Sequence, residues 1–125
     1  MVIGIGVDIV KLEHLATAYL DPDDPFCRRT FSQRELDQAK LREHALAFYA
    51  TRFAGKEAVF KALNWQNEPI SLCDIEIINV ETGQPKVHLY GSVKAHADQQ
   101  GIASVKLSLS YDTDYAIAYA ITQSD

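Results

Sequence analysis

Charged side chains recur at helical spacing between Arg52 and Lys61. At about 100° per residue, Glu57 and Lys61 lie about 40° apart on a helix, and Arg52 and Lys56 form a second pair with the same spacing. We therefore expect three cations and one carboxylate on one broad arc of this helix. Such an arc suits a phosphorylated ligand, because Lys and Arg donate strong charge-assisted hydrogen bonds to phosphate oxygens.

A second carboxylate, Asp8, lies near the end of the apolar run that opens the chain. Magnesium prefers oxygen ligands and commonly uses one or two carboxylates together with a substrate phosphate. Asp8 and Glu57 are therefore candidate magnesium ligands. From the residues alone, two alternatives stay open. Asp8 could instead cap a helix that begins near Lys11, and the charged helix could only form stabilising ion pairs.

The charge of the chain is distributed unevenly. Its net charge is -5, yet residues 28–61 hold eight Lys and Arg against four Asp and Glu. A basic middle in an acidic chain indicates a local anion site, although a solvated helix face of mixed charge is the alternative. The overall acidity argues against general nucleic-acid binding.

Other classes of protein find no support in the sequence. The two cysteines have no metal-ligand spacing and are expected to be reduced thiols of a cytoplasmic protein. We expect no membrane association, because no apolar run approaches the roughly 20 residues that span a bilayer. Residues 1–10 contain Asp8 and lack a basic lead, which favours a buried strand over a signal peptide. Gly-rich dinucleotide and phosphate-loop motifs are missing.

The length of 125 residues suits a single domain over residues 1–125. The first half predicts a strand whose Gly4 and Gly6 permit close approach by another backbone, followed mainly by helices. Helical spacing covers residues 11–20, and the prolines of residues 21–25 should stop that helix. Ser32 and Glu35 form a capping box, and a long helix should cover residues 45–63.

The second half predicts strands joined by turns. Strands are expected over residues 75–80, 86–90, 105–109 and 115–122, with a helix over residues 92–100 that Gly101 closes. Helices first and hairpins later indicate an α+β fold, with helices packed on a mainly antiparallel sheet.

The chain resembles the holo-acyl-carrier-protein synthases, the short class of phosphopantetheinyl transferases, over nearly its whole length. The run Gly4-Ile5-Gly6-Val7-Asp8-Ile9-Val10 matches the first strand of that family. Arg52-Phe53-Ala54, Lys56-Glu57-Ala58 and Lys61-Ala62 match its signature helix. Four later motifs follow in the expected order: Asp74-Ile75-Glu76-Ile77, Gly83-Gln84-Pro85, Ser108-Leu109-Ser110 and Tyr115-Ala116-Ile117-Ala118.

This resemblance implies the 4'-phosphopantetheinyl transferase fold and a Mg2+-dependent transferase of fatty acid biosynthesis. Coenzyme A is the implied donor, a serine of apo acyl carrier protein the acceptor, and 3',5'-ADP the leaving product. It also implies a homotrimer with active sites between subunits. By position, Asp8 and Glu57 bind the metal. The chemistry of the transfer makes Glu57 and Lys61 the candidate catalytic residues, Glu57 as the acceptor of the serine proton and Lys61 as a stabiliser of charge on the phosphate. The implied coenzyme A contacts are Arg52, Lys56, Lys61, Gly83, Pro85 and Tyr111.

The chain departs from the family at several positions. Gln84 and Tyr111 stand where members often carry Lys and His, and Asn64-Trp65-Gln66 replaces a common Gly-Thr-Gly loop. The first helix lacks the usual arginines, so Arg28 and Arg29 are the candidate carrier-docking residues. These departures motivate one alternative, a non-catalytic module that binds coenzyme A or a carrier protein. A structural oligomer without ligands is another.

Overall fold

The computed structural model describes residues 1–19, 23–66 and 69–125. Within these ranges, five strands and five α-helices follow in the order β1 (Val2–Lys11), α1 (Leu12–Tyr19), α2 (Pro25–Thr30), α3 (Gln33–Ala39), α4 (Ala45–Ala62), β2 (Ile75–Asn79), β3 (Pro85–Leu89), α5 (Gly91–Gln99), β4 (Ser104–Tyr111) and β5 (Tyr115–Gln123). The α+β prediction is confirmed. Residues 20–22, where the first helix was predicted to stop, lie outside the described residues.

Two antiparallel sheets carry the strands. The larger sheet has the order β1-β5-β4, and the smaller one pairs β2 with β3. In the larger sheet Asp8 pairs with Ala118, and Gly6 pairs with Ala120. The inward positions of β5, Ala116, Ala118 and Ala120, are buried and small, so a helix can pack closely on this face.

The long helix α4 fills that place and contacts both sheets. Its buried residues lie on several sides of the helix, which is typical of a helix enclosed by the rest of the fold. In the described ranges, no helix has the length and apolar character needed to cross a membrane.

Local side-chain caps explain where α2 and α3 begin. Ser32 and Glu35 form the predicted capping box at the start of α3. The short helix α2 was missed, because Pro25 was interpreted only as a stop signal. Pro25 instead occupies the start of α2, and the side chain of Asp24 accepts a hydrogen bond from Phe26 N.

Candidate functional site

The contact between β1 and α4 positions the first group of predicted site residues. A methyl group on Gly4 would lie 2.1 Å from the carbonyl oxygen of Ala62, and one on Gly6 would lie 2.0 Å from that of Ala58. The prediction that these glycines permit close approach is confirmed. Because the two backbones nearly touch, Asp8 on β1 reaches Lys61 on α4, whose Nζ lies 3.2 Å from Asp8 Oδ1.

Glu57 belongs to the same group. Burial raises the pKa of the Glu57 carboxyl, the nearby charge of Asp8 raises it further, and Lys61 opposes both effects. Lys61 also donates to the carbonyl of Val7 at 2.9 Å. The three side chains that the sequence assigned to metal and phosphate therefore share one electrostatic neighbourhood, although Asp8 lies far from the other two along the chain.

The donor chemistry of this neighbourhood fits a hard cation. Two neighbouring carboxylates repel each other when both are charged, and a divalent ion bound between them relieves that repulsion. Asp8 has a side chain that is only 19% exposed, whereas Lys61 is 51% exposed and faces the surface. Asp8 and Glu57 are thus the side chains that would hold magnesium.

A second group of predicted residues lines a cavity of about 310 Å³. Arg52, Gly83, Pro85 and Tyr111 all border it, together with residues of β4 around Ser108. Gly83 adopts φ +86° in the turn between β2 and β3, and no atom would meet a side chain there within 4 Å. The open side of this turn leaves room for a flat group beside Pro85.

Arg52 sits at the floor of this cavity with only 5% of its surface exposed. Its guanidinium stacks on the ring of Phe48 at 4.1 Å and donates to Thr51 and Asn79. Burial is the main cause that lowers the pKa of Arg52, to about 10. Its Nε is the one buried side-chain nitrogen or oxygen in the described ranges that has no hydrogen-bond partner. A buried cationic donor without an acceptor is costly, so this atom points to a missing anionic ligand.

The prediction for Lys56 needs correction. Lys56 is fully buried, and its Nζ donates to Glu35 Oε1 at 2.8 Å, to Leu72 O at 2.9 Å and to Ile75 O. The three protons of the ammonium group therefore have acceptors inside the protein, and Lys56 does not reach the cavity. Its role is structural, because it ties α4 to α3 and to the smaller sheet.

The predicted single arc of charge on α4 is also wrong. Lys56 is fully buried and Arg52 is only 5% exposed, whereas the side chain of Lys61, about 180° from Arg52 around the helix, is 51% exposed. The helix instead divides the predicted residues into two groups. We call Asp8, Glu57 and Lys61 the carboxylate group, and the cavity bordered by Arg52, Gly83, Pro85 and Tyr111 the arginine cavity.

Sequence reasoning missed two residues that border Arg52. An adjoining cavity of about 420 Å³ is lined by Arg42, and it shares Arg52, Asn79 and Tyr111 with the arginine cavity. Arg42 lies over the same ring of Phe48 at 5.3 Å. The surplus of basic residues over residues 28–61 is a signal for Arg42, but no pattern in the sequence singles out Asn79.

The candidate docking residues lie in the last turn of α2. Arg28 forms a salt bridge of 3.2 Å with Asp23, and both side chains are largely exposed. Arg29 is exposed as well. Because α2 packs against α1, and α1 follows β1 directly, these arginines belong to the part of the fold next to the strand that carries Asp8.

The loop that departs from the family begins at the end of α4. Asn64 takes up the left-handed backbone conformation, with φ +56°, and Trp65 packs against the ring of His96 at 4.7 Å. His96 Nε2 lies 2.7 Å from the carbonyl oxygen of Leu63. His96 therefore joins α5 to the end of α4.

Comparisons with known proteins agree with the resemblance. Residues 4–120 match the 4'-phosphopantetheinyl transferase superfamily. The holo-[acyl-carrier-protein] synthase of Clostridium kluyveri is 39% identical, with 100% of this chain and 92% of that protein covered. The crystal structure of holo-[acyl-carrier-protein] synthase from Neisseria meningitidis matches with a TM-score of 0.87 and 28% identity, covering 98% and 99% of the two chains.

A further solved structure contains a ligand. The ACPS-CoA complex from Chronobacterium ammoniagenes matches with a TM-score of 0.80 and 29% identity, covering 98% of this chain and 97% of that one. The predicted fold is therefore confirmed at the level of the family.

Proposed function

The chain belongs to the 4'-phosphopantetheinyl transferase superfamily, and from this premise we propose that it is a holo-[acyl-carrier-protein] synthase. It transfers the 4'-phosphopantetheine group of coenzyme A to a serine of apo acyl carrier protein, in fatty acid biosynthesis. The products are holo acyl carrier protein and 3',5'-ADP. The relatives carry the name of this activity, and one structural relative is a coenzyme A complex.

One observation carries the assignment of the reacting groups. Asp8 and Lys61 are 53 residues apart in the sequence, yet Asp8 Oδ1 and Lys61 Nζ lie 3.2 Å apart. Glu57 lies close enough to Asp8 that the charge of Asp8 helps to raise the pKa of the Glu57 carboxyl. A purely structural helix would have no need of a half-buried carboxylate pair beside an exposed lysine. A transferase that handles a pyrophosphate needs all three groups.

The proposed reaction is a displacement at the β-phosphorus of coenzyme A. The serine oxygen of the carrier forms a new bond to that phosphorus, and the bond to the oxygen of the departing 3',5'-ADP breaks. The Glu57 carboxylate accepts the proton of the serine hydroxyl. Lys61 neutralises charge that grows on the phosphate oxygens.

Asp8 and Glu57 are the proposed ligands of Mg2+, which when bound supplies a positive charge to the pyrophosphate. The remaining contacts come from the protein. We propose that Lys61 contacts the phosphates beside this pair, and that the orphaned Nε of Arg52 donates to an anionic oxygen of coenzyme A. Gly83, Pro85 and Tyr111 would then line the place of the nucleotide.

A shared site explains why the carboxylate group and the arginine cavity face apart on α4. We propose a homotrimer in which the carboxylate group of one chain meets the arginine cavity of its neighbour. The outer face of the larger sheet supports such an association, because its side chains are apolar and exposed: Ile5 60%, Val7 47%, Ile9 62%, Ile117 42% and Tyr119 46%. Exposed apolar patches of this kind mark interfaces.

Carrier recognition is assigned to Arg28 and Arg29. Both are exposed cations on the same short helix, and acyl carrier protein is the proposed acidic partner. Their attraction to it should be sensitive to salt, because the Debye length is only about 8 Å at physiological ionic strength.

The deciding experiment is a mass measurement on apo acyl carrier protein incubated with this protein, coenzyme A and magnesium. The expected result is a gain of the mass of phosphopantetheine, which a chelator abolishes. A carrier of unchanged mass, together with tight coenzyme A binding, would instead identify a non-catalytic binding module.

A further inference from the structure

The free edge of β2 is closed by side chains of α3 and α4 instead of by another strand. Glu35 and Gln38 are three positions apart on α3, so they lie on one face of that helix. Glu35 Oε2 accepts from Ile77 N at 2.8 Å, and Gln38 Oε1 accepts from Asn79 N at 3.1 Å. Glu35 and Gln38 are three residues apart on α3, and the residues they bind, Ile77 and Asn79, are two residues apart on β2. The helix α3 therefore runs along the backbone of β2.

Gln38 holds the backbone of Asn79 at both polar groups. Its Nε2 donates to Asn79 O at 3.1 Å, while its Oε1 accepts from Asn79 N at the same distance. This pair of bonds imitates the pairing of two strands and fixes the end of β2. The side chain of Asn79 is left free by these backbone bonds, and its Oδ1 accepts from Nη2 of Arg52.

From this arrangement we propose that Asn79 is a positioning residue for coenzyme A binding, acting through Arg52, and that Gln38 sets the place of Asn79. The guanidinium of Arg52 is held by the ring of Phe48 on one face and by Thr51 and Asn79 at its terminal nitrogens. These contacts fix the orientation of the guanidinium at the border of the arginine cavity, where its remaining N–H groups can donate to a ligand.

This inference rests on the proposed function, since it assumes that Arg52 contacts an anionic oxygen of coenzyme A. The structure separates two roles of residue 79. Gln38 binds only backbone atoms of Asn79, and these persist in Asn79→Ala. The Asn79→Ala variant therefore removes the acceptor of Arg52 while it keeps the closure of the β2 edge.

The test compares four proteins: the unaltered chain, Arg52→Ala, Asn79→Ala and the double variant. The readouts are the Kd of coenzyme A by calorimetry and the KM and kcat of the transfer. Asn79→Ala is expected to raise both the Kd and the KM for coenzyme A by about tenfold, because a hydrogen bond to a charged group is lost, and to change kcat by less than about threefold.

The double variant distinguishes positioning from an independent effect. If Asn79 acts through Arg52, adding Asn79→Ala to Arg52→Ala leaves the Kd where Arg52→Ala alone puts it, whereas independent sites would multiply their effects. A multiplied effect, or an unchanged Kd in Asn79→Ala, overturns the positioning role. An unchanged Kd in Arg52→Ala overturns the proposed contact of Arg52 with coenzyme A itself.

Gln38→Ala tests the position of Asn79 in a second way, because it removes both hydrogen bonds to the backbone of Asn79. It should lower the melting temperature and raise the Kd of coenzyme A, because the end of β2 is released. Its matched control is Gln33→Ala on the same helix, where the side-chain amide donates only to the exposed Asp37. If Gln38→Ala is destabilised but binds coenzyme A as tightly as Gln33→Ala, Gln38 has no part in placing Asn79.

Discussion

Gly6 of β1 lies so close to the carbonyl oxygen of Ala58 on α4 that a methyl group in its place would meet that oxygen at 2.0 Å. The obstacle is backbone, which cannot turn aside as a side chain does. We expect Gly6→Ala to destabilise the protein by about 3 kcal/mol, because the strand and the helix must separate. This corresponds to a melting temperature lower by roughly 10 °C.

A suitable control for Gly6→Ala is Ser108→Ala, an exposed position on β4 of the same sheet. Thermal unfolding monitored by circular dichroism would measure both variants. A melting temperature for Gly6→Ala equal to that of the control would show that the close contact of β1 and α4 does not contribute to the fold.

Glu57→Gln should reduce kcat about a thousandfold, since the proposed base and metal ligand is lost while its shape is kept. The control is Glu81→Gln, an exposed carboxylate in the turn before β3. Steady-state transfer to apo carrier protein measures the effect. A loss of less than tenfold would remove Glu57 from the mechanism.

Glu57→Gln, which should reduce activity, should stabilise the fold when no metal is bound. The folded protein raises the pKa of Glu57 above its ordinary value, so between the two values the native state holds more protons than the unfolded state. The stability contributed by this group is complete below pH 4.5 and is lost as the pH rises through the native pKa. In chelator, Glu57→Gln should therefore gain stability relative to the unaltered chain as the pH rises. A constant difference across this range would contradict it.

Lys56→Met tests the corrected role of Lys56. The change leaves Glu35 as a buried carboxylate without its cation, at an expected cost of about 3–5 kcal/mol of folding free energy. The matched control is Lys94→Met, whose exposed partner Asp98 lies four residues along α5, and which should cost about 0.5 kcal/mol or less. Denaturant unfolding measures both. Equal midpoints would show that the buried pair does not hold the fold together.

Charge reversal of Arg28 and Arg29 tests the docking surface. Replacing both by Glu should raise the KM for the carrier about tenfold or more, because like charges repel across the proposed interface. The Kd of coenzyme A should not change. Lys94→Glu on α5 provides a reversal at a distant exposed site, and rising salt should reduce the difference between the two proteins. Carrier kinetics equal to those of the control would place docking elsewhere.

The apolar outer face of the larger sheet provides a test of assembly. Ile9→Asp places a charge at a position that is 62% exposed in the single chain, so the fold should survive while the association fails. Sedimentation would then report a monomer, and transfer activity should disappear if each site needs two chains. A monomer with full activity would contradict the shared site.

The residues themselves explain which features the sequence could predict. Ser32 and Glu35 are three positions apart, so their capping box was visible in the sequence. The other carboxylate oxygen of Glu35 binds Ile77 N, 42 positions away, and no local pattern announces that contact. The family motif implied that Asp8 and Glu57 lie together, and the charge of Asp8 acts on Glu57 in the structure. Spacing alone gave Lys56 the same weight as Lys61. Only the packing of α3 shows that one is buried and the other exposed.

Lys56 and Glu57 are neighbours in the sequence, but the side chain of Lys56 is fully buried and that of Glu57 lies beside Asp8 and Lys61. These two placements fix the rotation of α4 about its own axis. Three acceptors hold the Lys56 ammonium from the interior side. One residue inserted between Lys56 and Ala58, the residue that Gly6 contacts, would turn the remaining part of the helix by about 100° and break the agreement between its two ends. A change of length within this stretch would therefore break one of the two contacts that hold the signature helix in place.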